Sequence, residues 1–322
     1  MPSPFKMIEV DPKFTEEARQ FNIKLTDQIR SLPDMWEFPP SVIRERQLQT
    51  FLSLTPDQDD LKAETITING PNGSIELRYY KASSGNVREV YLHIHGGGFV
   101  FGSAAEHDPE LKEIATNFDI DVVSIDYRLA PEYPYPHGPD DCEAAALWLL
   151  NEGSKAHGWA SFAIGGESAG ANLAVVTLMR LRDKHNLTPF KGTVLTGGFF
   201  DANLTPSARQ WGDEPLVMTT RDIEMCIRHY LVRGNDPFSG DISPLYGKLH
   251  NLPPTLISVG TKDPLLDDSL FLASRMQVAG SQVDVEIYEQ GCHVFQSFDL
   301  ALAKISRKRI DTFLKSRMSS KL

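Results

Sequence analysis

The sequence has little cysteine, a deficit of basic charge and no long hydrophobic run. Its three cysteines, Cys142, Cys226 and Cys292, are odd in number and far apart, so they indicate neither a disulfide framework nor a metal cluster. Lysine and arginine total 32 against 43 acidic residues, and the resulting net charge of −11 opposes binding to nucleic acid. No apolar stretch approaches the ~18 residues of a membrane span, and the N-terminus lacks the pattern of a secretory signal. We therefore expect a cytoplasmic protein without a nucleic-acid partner or stable membrane insertion.

Predicted strands and predicted helices alternate along most of the 322 residues. Hydrophobic residues make up 41% of the chain, which is ordinary for a globular protein with a core. The alternation favours an α/β fold with a mostly parallel sheet covered by helices, and it places the chemistry in loops at the carboxyl ends of the strands. The predicted strands are Ile66–Ile68 and Ile75–Tyr79 as a hairpin, Val90–His95, Ile120–Ile125, Phe162–Ile164, Thr193–Thr196, Thr255–Val259 and Val283–Tyr288.

Two segments depart from this alternation. Apolar residues recur at helical spacing from Phe14 to Ile29, and a turn-rich stretch with one amphipathic helix follows Phe199. A lid over a site and a surface helix packed on the core are both compatible with the first segment, and position alone does not separate them. The predicted division is 1–50 as the N-terminal part of a helical cap, 51–198 as the first part of a catalytic core, 199–237 as a cap insertion and 238–322 as the second part of the core.

The pentapeptide Gly166-Glu-Ser168-Ala-Gly170 matches the pattern G-x-S-x-G. It follows a predicted strand and opens a predicted helix, which is the strand–turn–helix context of a nucleophile elbow. A glycine-rich turn with a capping serine is the structural alternative. A phosphate-binding loop needs lysine where Ala171 stands, and the glycine spacing of a dinucleotide fingerprint is absent.

A run of three glycines, Gly96 to Gly98, lies between His95 and Phe99 at the end of a predicted strand. Glycines let backbone N–H groups face a substrate oxygen without a Cβ in the way, and acyl transfer needs such donors where an oxyanion forms. A flexible loop is the alternative. His93 and His95 share a strand face as a metal pair would, but the glycines that follow are not typical of binuclear hydrolases, and we expect no metal.

An activated serine needs a base, and the base needs an acid that orients it. His293 follows a late predicted strand, whereas the other histidines do not, and a surface loop histidine is its structural alternative. Asp263 follows the preceding strand and also fits a helix N-cap before Pro264. Asp267 and Asp268 are alternative acids. The order Ser, Asp, His is that of the α/β-hydrolases.

These motifs resemble those of the hormone-sensitive-lipase-like (bacterial family IV) carboxylesterases of the α/β-hydrolase fold. The resemblance extends over nearly the whole chain from about residue 60, whereas the N-terminal stretch is similar only in being helical. The residues that carry it are His95–Phe99, Asp126-Tyr-Arg-Leu-Ala-Pro-Glu132, Gly166–Gly170, Leu252-Pro-Pro254, Asp263-Pro-Leu265 and His293.

The resemblance implies Ser168 as nucleophile, His293 as base and Asp263 as its partner. It also implies structural roles for Arg128 and Glu132, which would brace the strand end beneath the site. An oxyanion hole is implied at the backbone N–H groups of Gly97, Gly98 and Ala169, with Gly96 completing the turn and His95 holding the loop in place.

Two positions depart from the family's pattern. The family usually has aspartate where Glu167 stands and glycine where Val294 stands. Neither change removes a catalytic group, although each is expected to reshape the pocket wall.

The resemblance thus predicts a serine carboxylesterase that hydrolyses short- to medium-chain acyl esters through an acyl-enzyme and needs no cofactor. Amides and lactones stay open as substrates, because the same site attacks them. A non-catalytic small-ligand-binding protein on the hydrolase fold is the other alternative. The sequence leaves the oligomeric state open, a homo-oligomer included.

Overall fold

A single nine-stranded sheet forms the centre of the computed structural model, which describes residues 3–54, 63–85 and 87–318. The strand order is β1-β9-β8-β7-β6-β4-β5-β3-β2. Among the described strands only β3 runs against the others, so the predicted mostly parallel sheet is confirmed. The strands are β1 (Phe5–Met7), β2 (Glu64–Gly70), β3 (Gly73–Tyr80), β4 (Glu89–Ile94), β5 (Asp121–Asp126), β6 (Ser161–Glu167), β7 (Phe190–Thr196), β8 (Thr255–Lys262) and β9 (Val283–Cys292).

Helices cover both faces of the sheet. Neighbouring strand residues point to opposite faces, so Tyr91 packs in one apolar cluster with α3 and α10, while Leu92 packs in a larger cluster with α4 and α6. Among the described residues, no helix combines the length and apolar character that crossing a membrane requires. The helices are α1 (Pro12–Arg30), α2 (Pro40–Leu54), α3 (Asp108–Phe118), α4 (His137–Trp148), α5 (Ser154–His157), α6 (Ala169–His185), α7 (Pro206–Gln210), α8 (Thr220–Tyr230), α9 (Leu266–Val278) and α10 (Ala301–Met318).

Three strands run at least three residues past the ends that the sequence pattern predicted. β6 continues to Glu167, β8 to Lys262 and β9 to Cys292, whereas the expected ends were Ile164, Val259 and Tyr288. These ends consist of glycines and polar residues, so the pattern of apolar residues does not reveal them. The hydrogen-bonded pairing with the neighbouring strand nevertheless continues through them. Consequently, each of the three predicted catalytic residues directly follows the last residue of a strand.

The N-terminal region contains an edge strand that the sequence analysis did not predict. β1 pairs in parallel with β9, and its three residues are exposed, so no alternation marked it. The predicted boundary between residues 50 and 51 falls inside α2, which continues to Leu54. The predicted first part of the core includes residues 55–62 and 86, which lie outside the described residues.

Candidate active site

Ser168 occupies a sharp turn between β6 and α6. Its backbone angles, φ 54° and ψ −120°, are ones that a non-glycine residue rarely adopts. The N–H of Ser168 donates to the carbonyl of Thr196 at 2.9 Å, which fixes the turn against β7. A Cβ on Gly170 would lie 1.9 Å from the carbonyl oxygen of Ile94, so the small residue is required for α6 to approach β4. The G-x-S-x-G spacing therefore meets a physical need of this turn.

His293 and Asp263 lie in line with the serine. Nε2 of His293 is 3.0 Å from Oγ of Ser168, and its Nδ1 is 3.0 and 3.1 Å from the two carboxylate oxygens of Asp263. The residues are nearly buried, with 9% of Ser168, 5% of His293 and 2% of Asp263 exposed. Asp263 also accepts the N–H of Leu265 at 2.8 Å, so its capping role coexists with the contact to His293.

The alternative acids are engaged elsewhere. Asp267 accepts the N–H of Ser207 at 2.8 Å. Asp268 accepts the N–H groups of Phe200 and Asp201 at 2.6 and 3.0 Å. Both carboxylates therefore hold the chain after β7 instead of orienting His293.

The glycine run bends sharply beside Ser168. Gly97 has φ 103° and Gly98 has φ 62°, and the carbonyl of Gly97 accepts the N–H groups of two following residues. No hydrogen bond within the described residues uses the N–H of Gly97 or Gly98. The N–H of Gly96 is taken, because it donates to Oε1 of Glu167 at 2.5 Å. Gly96 thus anchors the loop and is not available as an oxyanion donor.

His95 lies beneath the glycine loop. Its Nδ1 is 2.8 Å from the carbonyl oxygen of Gly96, and its ring stacks on Tyr127 with centroids 4.3 Å apart. The Tyr127 hydroxyl donates to the carbonyl of His95 at 3.0 Å. Burial, together with the neighbouring His107, lowers the pKa of His95 to about 3, so this side chain is neutral. These contacts fit the expected loop-holding position.

Glu167 stands between two histidines as well as the glycine loop. Its Oε2 is 2.9 Å from Nε2 of His93, and its Oε1 is 3.3 Å from Nε2 of His107. Burial alone would raise the pKa of Glu167, but the neighbouring imidazoles of His107 and His93 and the N–H of Gly96 lower it to about 2. His93 and His107 thus lie on either side of the Glu167 carboxylate, each facing one of its oxygens. His107 could not be predicted from the sequence, because no local pattern connects it to a residue 14 positions earlier on β4.

A cavity of about 380 Å³ opens beside Ser168 and His293. Its wall is mostly apolar and comes mainly from the N-terminal segment, the glycine loop and the 199–237 segment, with further residues from the loops that follow β8 and β9. Such a shape and lining are typical of a small-molecule site. The apolar lining includes Met35, Trp36, Phe99, Phe101, Phe199, Val217, Met218, Ile223, Cys226, Ile227, Leu265 and Phe298.

Arg128 and Glu132 each form an ion pair, and neither lines the cavity beside Ser168. Arg128 forms a two-point ion pair with buried Asp141, and its Nε–Oδ2 distance is 2.8 Å. Glu132 pairs with Arg44 of α2 at 2.6 Å. Arg44 also donates to the carbonyl of Val100 at 2.9 Å, a contact to the glycine loop that the sequence pattern gave no means of finding.

Known proteins resemble this chain in both sequence and structure. A profile of the family described as alpha/beta hydrolase fold matches residues 91–297, which include Ser168, Asp263 and His293. An esterase of Acinetobacter venetianus is 29% identical over 89% of this chain and 89% of its own length. The carboxylesterase NlhH of Mycobacterium tuberculosis is 31% identical over 80% of this chain and 82% of its own. A structure described as a hormone-sensitive lipase from a metagenome library has a TM-score of 0.82 at 29% identity, covering 94% of this chain and 98% of that chain.

Proposed function

This chain belongs to the hormone-sensitive-lipase-like carboxylesterases of the α/β-hydrolase fold, and we propose that it cleaves short- to medium-chain acyl esters with Ser168 as nucleophile. The observation that carries the proposal is the line of contacts from Ser168 Oγ through His293 to Asp263, at 3.0 Å for each step. A general base must lie within hydrogen-bond reach of the proton it removes, and His293 does so.

In the proposed mechanism, Oγ of Ser168 attacks the ester carbonyl carbon while Nε2 of His293 takes the hydroxyl proton. Asp263 holds the imidazole in the tautomer that leaves Nε2 free and stabilises the imidazolium that forms. His293 then returns the proton to the leaving alcohol, and an acyl-enzyme remains on Ser168. Water repeats the steps and releases the carboxylic acid. The scheme requires no cofactor.

The developing oxyanion is proposed to lie against the N–H groups of Gly97, Gly98 and Ala169. The N–H groups of Gly97 and Gly98 have no partner within the described residues, which supports their assignment as donors. Ala169 is assigned because it lies at the N-terminus of α6, where the helix dipole favours negative charge. Preorganised donors of this kind are each worth ~10²–10³ in rate. Glu167 is proposed to keep this loop in position through Gly96.

Residues 1–50 and 199–237 are proposed to form a cap over the acyl pocket. Trp36 supports this, because it lines the cavity and its indole N–H donates to Asp222 of α8 at 2.6 Å. A cavity of about 380 Å³ walled by such apolar side chains has room for a short or medium acyl chain and suits its chemistry.

Hydrolysis of p-nitrophenyl esters from acetate to palmitate by wild type and Ser168→Ala tests the proposal. We expect the highest kcat/KM at short or medium chains, and a loss of at least ~10³ in kcat for the variant, because the nucleophile is gone. Ser274→Ala is the matched control, since Ser274 is an exposed serine on α9 that donates only to its own helix. A Ser168→Ala enzyme as active as wild type, or a wild type inert to every ester and to a fluorophosphonate, would contradict the proposal.

A further inference from the structure

His93, His107 and Glu167 form a cluster beside the glycine loop. Holding the loop requires only Glu167, so the two histidines need another explanation. A single carboxylate is enough to accept the N–H of Gly96, yet two imidazole Nε2 atoms also face it, at 2.9 and 3.3 Å. The ligand atoms of the three residues all lie within 4.8 Å of one another. Two imidazoles and one carboxylate are the protein ligands that zinc uses in many hydrolytic sites.

We propose that His93, His107 and Glu167 bind Zn²⁺ or a similar divalent transition-metal ion, and that the bound ion draws Glu167 away from Gly96. Bonds of about 2.0–2.1 Å in tetrahedral geometry separate ligand atoms by about 3.3 Å. The observed N–O distances of 2.9 and 3.3 Å run to the two different oxygens of Glu167 and are each close to this separation. The ligand atoms as a set span up to 4.8 Å, so the side chains must rotate toward one another to close around the ion.

The surroundings of His93 suit it as a metal ligand. Its Nδ1 is 2.9 Å from the hydroxyl of Ser124, which is fully buried on β5. A hydroxyl accepts as well as donates, so Nδ1–H can donate to Ser124 and leave the Nε2 lone pair for the ion. Metal-bound histidines generally use their second nitrogen in this way.

A second cavity, of about 100 Å³, adjoins the three residues and is rich in acids. Glu110, Glu113 and Asp311 line it, whereas Arg307 is its only basic residue besides the histidines among the described residues. Oε2 of Glu110 is buried without a hydrogen-bond partner among the described residues. A bound cation would stabilise the ionised form of these carboxyl groups, and Glu110 offers a further oxygen near the site.

His107 gives the site access from solvent. About a fifth of its side chain is exposed (22%), and it lines both the acidic cavity and the larger cavity beside Ser168. An ion therefore has an entry path, and its arrival changes the hydrogen bond that fixes the glycine loop. We infer that zinc inhibits the enzyme reversibly. This inhibition rests on the proposed esterase function, whereas the binding of the ion does not depend on it.

Titration of the metal-free protein, as the whole 322-residue chain, with Co²⁺, followed by visible absorption, tests binding without any reference to activity. We expect one Co²⁺ per chain with the spectrum of a tetrahedral site, displaced by Zn²⁺. His107→Gln removes one ligand and should weaken Co²⁺ binding at least about tenfold. His250→Gln is the matched control, because His250 is an exposed histidine outside both cavities, and it should bind as wild type does. Absence of a stoichiometric site in wild type, or an unchanged site in His107→Gln, would overturn the proposal.

Ester hydrolysis with and without Zn²⁺ tests the consequence for the loop. The rate of each variant with Zn²⁺ is divided by its own metal-free rate, so any effect of the substitution itself on turnover cancels. At a zinc concentration that saturates wild type but not His107→Gln, we expect zinc to lower kcat of wild type and His250→Gln about tenfold, with recovery on chelation, and to leave His107→Gln nearly unchanged. Co²⁺ binding without a zinc effect on kcat would refute the displacement of Glu167, while an enzyme inactive without metal would instead contradict the proposed function.

Discussion

At the scale of single residues, the proposed role of Glu167 is to hold the glycine loop through Gly96. Its charged oxygen accepts the N–H of Gly96 at 2.5 Å, and hydrogen bonds to charged acceptors are about twice as strong as neutral ones. Glu167→Gln keeps an oxygen but loses the charge. We therefore expect kcat on p-nitrophenyl acetate to fall about tenfold while KM changes little, since ~1.4 kcal/mol corresponds to tenfold.

Glu167→Asp supplies the comparison for this prediction. It restores the negative charge with one methylene fewer, so its kcat should lie between those of wild type and Glu167→Gln. Thermal unfolding of all three proteins separates a loss of stability from a loss of positioning. An equal loss of kcat in both variants, or an effect confined to KM, would argue against a role for the charge at Gly96.

Residue identity could be predicted from the sequence wherever a motif is contiguous. The G-x-S-x-G pattern identified Ser168, because the elbow needs small neighbours that are themselves in the pattern. The family resemblance favoured Asp263 over Asp267 and Asp268 as the acid. In the structure, Asp263 contacts His293, whereas Asp267 and Asp268 accept backbone N–H groups that are distant in the chain. His107 and Arg44 were beyond prediction, because their contacts are purely tertiary.

At the scale of elements, α10 packs against α3 with two acids in proximity. Asp311 on α10 is partly buried, and burial together with the charge of Glu113 on α3 raises its pKa to about 7 from an ordinary value of 3.8. Between about pH 4 and pH 7, the folded state therefore holds a proton that the unfolded state has released. By linkage, this carboxyl lowers the free energy of unfolding as pH rises through that window, and the destabilisation is complete above pH 7.

Asp311→Asn should remove this pH-dependent loss of stability. We expect the Tm of the variant to match wild type near pH 4 and to exceed it by about 2 °C at pH 8, measured by thermal unfolding across the range. Glu289→Gln removes an exposed carboxylate on β9 and controls for the loss of one negative charge. A variant less stable than wild type at pH 8 would show that Asp311 is held by its neighbours Lys315 and Arg307.

The elements themselves were predicted in kind but not in length. β6, β8 and β9 were expected from their apolar residues, and all three exist, yet each runs on through glycine or polar residues because the neighbouring strand supplies its hydrogen bonds. β1 is three exposed residues long and owes its conformation to β9 alone. Pairing with a distant strand leaves no local pattern in the sequence. Hydrophobic periodicity therefore cannot predict such strands or strand ends.

At the scale of the whole molecule, the N-terminal segment and the 199–237 segment meet above the cavity. Arg30 pairs with Glu214 at 3.0 Å and Asp34 with Arg221 at 2.6 Å. These partners are more than 180 residues apart in the chain. The sequence predicted that the two segments belong to one cap, but it gave no means of finding which residues pair. We propose that their association sets the size of the acyl pocket.

Trp36 provides the test of that association, because it lines the cavity and donates to Asp222 across the two segments at 2.6 Å. Trp36→Phe loses this donor and shortens the wall, so we expect the ratio of kcat/KM for longer over shorter p-nitrophenyl esters to rise about tenfold, the effect of roughly one methylene. Arg221→Ala breaks the exposed pair to Asp34 instead and should keep the wild-type profile. An unchanged profile in Trp36→Phe would place the acyl chain elsewhere.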